Sequence, residues 1–162
     1  MNENAAETNG SGADGSGAVS NQYHFALQRI YVKDLSFEVP GAPEIFGRQD
    51  VDPEIQLNLK NSQKALGKDN YEVILNISVH AKMDQQTVFL IELDQAGIFS
   101  IKGYPDEELK KLMGTYCPTT LFPYAREIIS STVAKGGFPP LTLQPINFDA
   151  LYAQAAKETA QA

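Results

Sequence analysis

The spacing of apolar positions divides the chain into alternating stretches first and helical ones afterwards. From Tyr23 to Glu38 a period of two sets Phe25, Leu27, Tyr31, Leu35 and Phe37 on one face of a long strand, with Arg29 and Lys33 interrupting it. The other face carries Ile30 and Val32, then Asp34, Ser36 and Glu38. Pro40, Pro43 and Gly47 break this pattern into an irregular loop ending near Pro53. Ile55, Leu57 and Leu59 then alternate with Glu54, Gln56, Asn58 and Lys60 as a half-buried strand, and residues 61–69 read as a polar turn. Tyr71, Val73, Leu75, Ile77 and Val79 form the next strand, with Glu72, Asn76, Ser78 and His80 opposite. After a turn at residues 83–86, Phe89, Ile91 and Leu93 continue, backed by Val88, Leu90, Glu92 and Asp94, and Ile98 to Ile101 extend this fourth strand. Short turns between such strands predict an antiparallel meander with one buried face.

Beyond residue 104 the period changes. Pro105 opens a short helix with acids in its first turn, closing near Gly114. Leu121, Tyr124, Ile128, Ile129, Thr132 and Val133 then share one helical stripe, and Gly136 and Gly137 stand where a left-handed C-terminal cap is wanted. Pro139 and Pro140 keep the helix from resuming, Leu141 and Leu143 lie on an extended crossing segment, and Asn147 caps a last helix starting at Phe148. Strands first and helices last predict an α+β fold: a four-stranded antiparallel sheet with a long amphipathic helix and a C-terminal helix on one side. Three parts are expected: a disordered tail over residues 1–20, a domain over 21–152, and a fraying tail over 153–162 that lacks an apolar stripe. The first tail reads as a dispensable extension ahead of a solubilising device, on composition alone.

Composition narrows the function. A net charge of -7 argues against nucleic acid, which needs clustered Lys and Arg. No apolar run is long enough to span a membrane, and the N-terminus lacks the basic and apolar regions of a secretory signal. The single cysteine, Cys117, excludes an internal disulfide and a cysteine-cluster zinc site, so a cytoplasmic protein is expected. Catalysis would require Cys117 with His80 and a carboxylate, yet no spacing motif supports it, and no phosphate loop, HExxH or GxSxG is present. No enzyme, metal or cofactor is expected. The carboxylates Asp34 and Glu38 make an acidic strand face, which alternation alone would also give as an ordinary solvated edge. Phe89, Ile91 and Leu93, with Phe25, Tyr124, Phe148 and Tyr152, either line an apolar groove or are simply core. One helix leaves apolar surface on the sheet uncovered, which predicts a homo-oligomer.

Four strings point to one family: CPTTLFPYAREIIS at 117–130, GGFPPLTLQPINFDALY at 136–152, RIYVKDLSFEVPGAP at 29–43 and FLIELDQAGIFSI at 89–101. Together they resemble SecB, the bacterial protein-export chaperone family, over roughly Phe25 to Tyr152. The resemblance implies a dimer of dimers that binds unfolded precursors without ATP and delivers them to the motor SecA. It places the contact with SecA's basic, zinc-containing C-terminal segment on Asp34 and Glu38, through KDxSFE, and on Leu90 and Glu92, through FLxE. The zinc belongs to that partner. Client grooves are implied at Phe89, Ile91, Leu93, Tyr124 and Tyr152, and the helix from about Thr119 to Lys135 at the interface between dimers. Two features depart from the family. The chain has no Trp, so Val51 or a neighbour stands where many relatives carry one before the second strand, and the Gly/Ser-rich tail inherits no role. A SecB-like chaperone dedicated to an antitoxin or other single client is the alternative.

Overall fold

The structure, a computed structural model, describes residues 22–162; the expectation for the first twenty residues lies outside them. Four strands, β1 (His24–Glu38), β2 (Glu54–Gly67), β3 (Asn70–Met83) and β4 (Gln86–Lys102), form one sheet in the order β1-β4-β3-β2. All neighbours are antiparallel, and three helices follow: α1 (Asp106–Gly114), α2 (Tyr116–Lys135) and α3 (Phe148–Gln161). The expected α+β architecture is present. The meander, however, comprises only β2, β3 and β4. β1 lies beside β4, because the connection over residues 39–53 is long enough to carry the chain across the sheet in a Greek-key order.

Both hairpin turns are two residues long. Lys68 and Asp69 have φ of 53 and 61°, and Asp84 and Gln85 have 51 and 65°, the doubly left-handed geometry whose twist matches the flanking strands. The polar turn expected over 61–69 therefore shrinks to Lys68–Asp69. Residues 61–67 continue β2 because β3 offers ladder partners from Asn61 to Ala65 and again at Gly67, with Leu66 the extra residue at a register shift, and cross-strand pairing outweighs polar composition at an edge.

The core is one layer between the sheet and α2. Val73, Leu75, Ile77 and Val79 of β3 and Ile91, Leu93 and Phe99 of β4 are fully buried against Cys117, Leu121, Ala125 and Ile129. Gly97 of β4 allows this approach: a Cβ there would come within 2.9 Å of Leu121 and of Phe99. Helix α2 starts at Tyr116 because Pro118, in the first turn, lacks only an N–H that would have no helical partner anyway. It ends as expected, with Gly137 at φ 89° and Phe138 N donating back to Val133 O. Within the stripe, Leu121, Ile129 and Val133 are buried, whereas Tyr124 is 51% exposed and Ile128 sits at the rim. Residues 153–161, expected to fray, continue α3 as a fully exposed helix.

β1 departs most from simple alternation. The register shifts between Leu27 and Arg29 and again between Val32 and Asp34, so Gln28 and Lys33 are extra residues at two bulges. Each bulge swaps the faces. Phe25 and Leu27 pair with Ile101 and Phe99 on the helix side, Ile30 and Val32 pair with Gly97 and Gln95 on that same side, and Leu35 and Phe37 pair with Leu93 and Ile91. Ile30 and Val32 thus leave the acidic face, where strict alternation puts them, and Tyr31 joins it.

Candidate functional site

The face of the sheet away from α2 carries no helix. Its cross-strand rows follow from the registers. Glu38, Leu90, His80 and Gln56 form one row; Ser36, Glu92, Ser78 and Asn58 the next; Asp34, Asp94, Asn76 and Lys60 the third. Asp34, Glu38, Leu90 and Glu92, far apart in sequence, therefore fall within three adjacent rows on two neighbouring strands. The second bulge makes this possible, because it turns Asp34 to the open side while Leu35 stays in contact with the helix side. Asp34 faces Asp94 directly, a like-charge pair that a bare sheet does not favour, and Asp94 accepts from Asn76 Nδ2 at 2.6 Å.

Two rows further along, the charge is neutralised internally. Lys33 Nζ lies 2.9 Å from both carboxylate oxygens of Glu72, and Tyr31 Oη donates to the same carboxylate. These donors reach from β1 to β3 over Ala96, which is fully buried. The bonds from Tyr31 and Lys33 hold the Glu72 carboxyl below its ordinary range, whereas burial and then Glu72 push the Tyr31 phenol up to about 12. Sequence reasoning missed this knot, because Tyr31 and Lys33 reach the open face only through the bulges; Asp94 was set on the face of Leu90 and Glu92 but given no role.

Apolar depressions lie on the other side. One, about 540 Å³, runs between the 39–53 connection and the crossing segment and is lined by Phe46, Val51, Ile55, Phe89, Phe138 and Leu141, with Arg48, Gln49 and Asp52 forming a polar part of its wall. A chain of rings, Phe37–Phe89–Phe138–Phe46, enters it with centroids 6.1, 5.3 and 5.5 Å apart. Val51 stands in this wall. A second depression, about 480 Å³, lies between α3 and β2 and contains Leu59, Asn61, Phe148, Leu151 and Tyr152. There the Tyr152 ring packs so closely on Gly114 that a Cβ would sit 2.5 Å from it. Tyr124 belongs to a third, about 380 Å³, with Ile30, Val32 and Ile128.

The five residues expected to line client grooves are dispersed. Phe89, Tyr152 and Tyr124 each line a different depression. Ile91 and Leu93 line none: both are 0% exposed, since β4 is a central strand lying under α2. Phe46 and Phe138 were missed as groove residues, and the one signal for them was an aromatic side chain within a Pro- and Gly-rich stretch.

The structure does not bring Cys117 and His80 together. Cys117 is buried in the helix layer, with its thiol pushed up to about 12 by burial, whereas His80 stands in a row of the open face with Nε2 2.7 Å from Thr87 Oγ1. Among the described residues no group of three or more His, Cys, Asp or Glu side chains is placed to hold a metal ion, and no helix is long and apolar enough to cross a membrane.

The family model described as preprotein translocase subunit SecB matches residues 18–159. The chain is 52% identical to protein-export protein SecB of Nitrosococcus oceani over 138 residues, covering 85% of this chain and 84% of that protein. It is also 52% identical to protein-export protein SecB of Azotobacter vinelandii over 155 residues, covering 95% and 90%. Among solved structures, a SecB-like chaperone of Mycobacterium tuberculosis in complex with a ChAD peptide from the HigA1 antitoxin superposes with a TM-score of 0.64 at 21% identity, over 75% of this chain and 90% of that one. At that identity the likeness speaks for the fold.

Proposed function

The chain belongs to the SecB family, and from that premise we propose a chaperone that holds unfolded precursor proteins in the cytoplasm without ATP and hands them to SecA for export. The observation that carries this reading is the division of labour across one sheet. One side offers apolar depressions outside a closed core; the other gathers Asp34, Glu38, Leu90 and Glu92 on an uncovered face. A basic segment of SecA, with its own zinc, docks on that face, with Leu90 supplying apolar contact amid the acids. Charges exposed in this way accelerate encounter and give salt-sensitive binding.

Clients occupy the depressions around Phe89 and Tyr152. Burying one Leu or Phe of a client contributes roughly 1.5–3 kcal/mol, too little for tight capture after association entropy. Holding a long chain then needs several depressions at once, which a dimer of dimers supplies. Assembly is supported by apolar surface left at the β1 edge and on α2: Leu27, Val32, Leu35 and Tyr124 are 39, 44, 41 and 51% exposed. The depression holding Tyr124 lies among these residues, so we assign Tyr124 to the interface between copies as readily as to a client.

Two measurements test the proposal. Aggregation of an unfolded precursor, followed by light scattering, should be suppressed at stoichiometric amounts of the protein; no suppression overturns it. Mass determination on a sizing column, alone and with SecA, should give a tetramer that shifts to a larger complex at low salt and reverts at high salt. A tetramer that ignores SecA and binds one client among many unrelated unfolded proteins would favour the dedicated chaperone.

A further inference from the structure

The open face contains an ammonium that works against the docking just proposed, and the fold parks it elsewhere. Lys33 is the extra residue of the second β1 bulge, so it projects to the same side as its neighbour Asp34. Asp34 in turn faces Asp94 across the ladder. Two carboxylates on one side and Glu72 on the other thus compete for one flexible ammonium. Glu72 holds it with both oxygens at 2.9 Å; the Glu72 side chain is 10% exposed, and Tyr31 Oη fixes it from the same direction. Among the described residues the ion pairs are Lys33–Glu72 and Arg48–Asp84, which leaves Asp34, Glu38 and Glu92 without an internal cation.

We infer that Glu72 is a positioning residue for the partner: it touches no docking segment itself, but by holding Lys33 it keeps the Asp34–Asp94 pair vacant for a cation brought by the basic segment. Without Glu72, Lys33 turns to Asp34 and Asp94 and occupies the place the partner's Lys or Arg takes. The occupant is a Lys/Arg-rich polypeptide segment, argued from the complementary charge of the three acidic rows. The inference rests on the docking reading above.

The test is a double-mutant cycle read by titration calorimetry with SecA at low salt. Glu72→Gln keeps the shape and the acceptor for Tyr31 but loses the ion pair. It should weaken binding about five-fold, the scale of one exposed ion pair gained by Lys33, with a shallower salt dependence. Lys33→Met alone should bind as tightly as the parent or tighter. The double variant should return to the Lys33→Met level, a rescue that mere loss of stability would not give. Unchanged affinity in Glu72→Gln, or a double variant as weak as Glu72→Gln, overturns the inference. Asp34→Ala with Glu92→Ala is measured beside them. If that pair leaves affinity intact, the docking reading falls and takes this inference with it. If it weakens binding while Glu72→Gln does not, only the steering by Glu72 falls.

Discussion

Strand β3 belongs to two environments at once. On its helix side Val73, Leu75, Ile77 and Val79 are 0% exposed, each against a neighbour on β4 and the layer formed by α2. On its other side Glu72, Ile74, Asn76, Ser78 and His80 alternate with them, and three of these side chains hydrogen-bond within the sheet: Glu72 to Tyr31 and Lys33, Asn76 to Asp94, and His80 to Thr87. Backbone, pairing and register are shared, so the difference is in what each face does with its side chains. The covered face spends its side chains on burial, which sets stability and tolerates little change. The open face contributes less to stability and is therefore free to carry unpaired carboxylates, a liability for folding that the proposed docking of a basic segment would turn to use.

The largest effect should come from damage to the covered face. Ile77→Ala removes a fully buried side chain between β2 and β4 and should cost about 2–5 kcal/mol of unfolding free energy. Urea denaturation measures it as a lower midpoint with an unchanged slope. SecA binding by the fraction still folded should not change; a large change there would mean the faces are not independent.

On the open face the balance reverses. Asp34→Ala with Glu92→Ala should lower SecA affinity at least about ten-fold, a loss of some 1.4 kcal/mol, by the usual affinity arithmetic. Folding stability should stay within about 0.5 kcal/mol of the parent, as expected for exposed positions. Suppression of precursor aggregation should be nearly intact. Parallel loss of client holding would show that the two faces share a function and would break the comparison.

How much of this was legible in the sequence depends on which strand is read. β3 and β4 show their two faces directly, since every inward residue is aliphatic or aromatic until Gln95 and Gly97 and no bulge disturbs the period between Asn70 and Ala81. β1 does not, because a bulge leaves no mark on composition and each one inverts the alternation after it. Asp34 and Glu38 were placed correctly only because they follow both bulges, while Ile30, Val32 and Tyr31, lying between them, were assigned to the wrong sides. The groove was harder still. A period of two predicts which face Ile91 and Leu93 occupy, but whether a helix or solvent covers that face is decided by where α2 packs. Phe46 and Phe138 come together from connections with no period at all.

The knot that separates acidic from neutral rows can be probed by pH. The carboxyl of Glu72 lies below its ordinary value of 4.5 in the folded chain, so its contribution is fully present above that value and is lost as pH falls through the lower folded value. Glu72→Gln has no such group to protonate. Urea midpoints should therefore fall less for Glu72→Gln than for the parent between about pH 5 and pH 3. Equal falls would mean that the knot is energetically silent. Tyr31 acts in the opposite sense: its contribution is present below its ordinary value of 10.0 and fades as pH rises towards about 12.

The smallest effect belongs to α3, which is neither face. It is anchored at its start by buried Phe148, whose ring meets Phe122 at 5.9 Å, and by Tyr152 on Gly114; every residue after Tyr152 is exposed. Its cap is local: Asn147 Oδ1 accepts from Ala150 N at 3.0 Å. Asn147→Ala should cost about 1 kcal/mol of helix stability, the usual worth of such a cap. So few contacts tie α3 to the sheet that this cost should appear as lost helical circular dichroism and faster amide exchange beyond Phe148, with the urea midpoint of the sheet almost unmoved. Client holding should weaken slightly through the depression beside Tyr152, while SecA binding stays as it was. A midpoint that falls by the full cost would instead make α3 part of the same cooperative unit as the covered face.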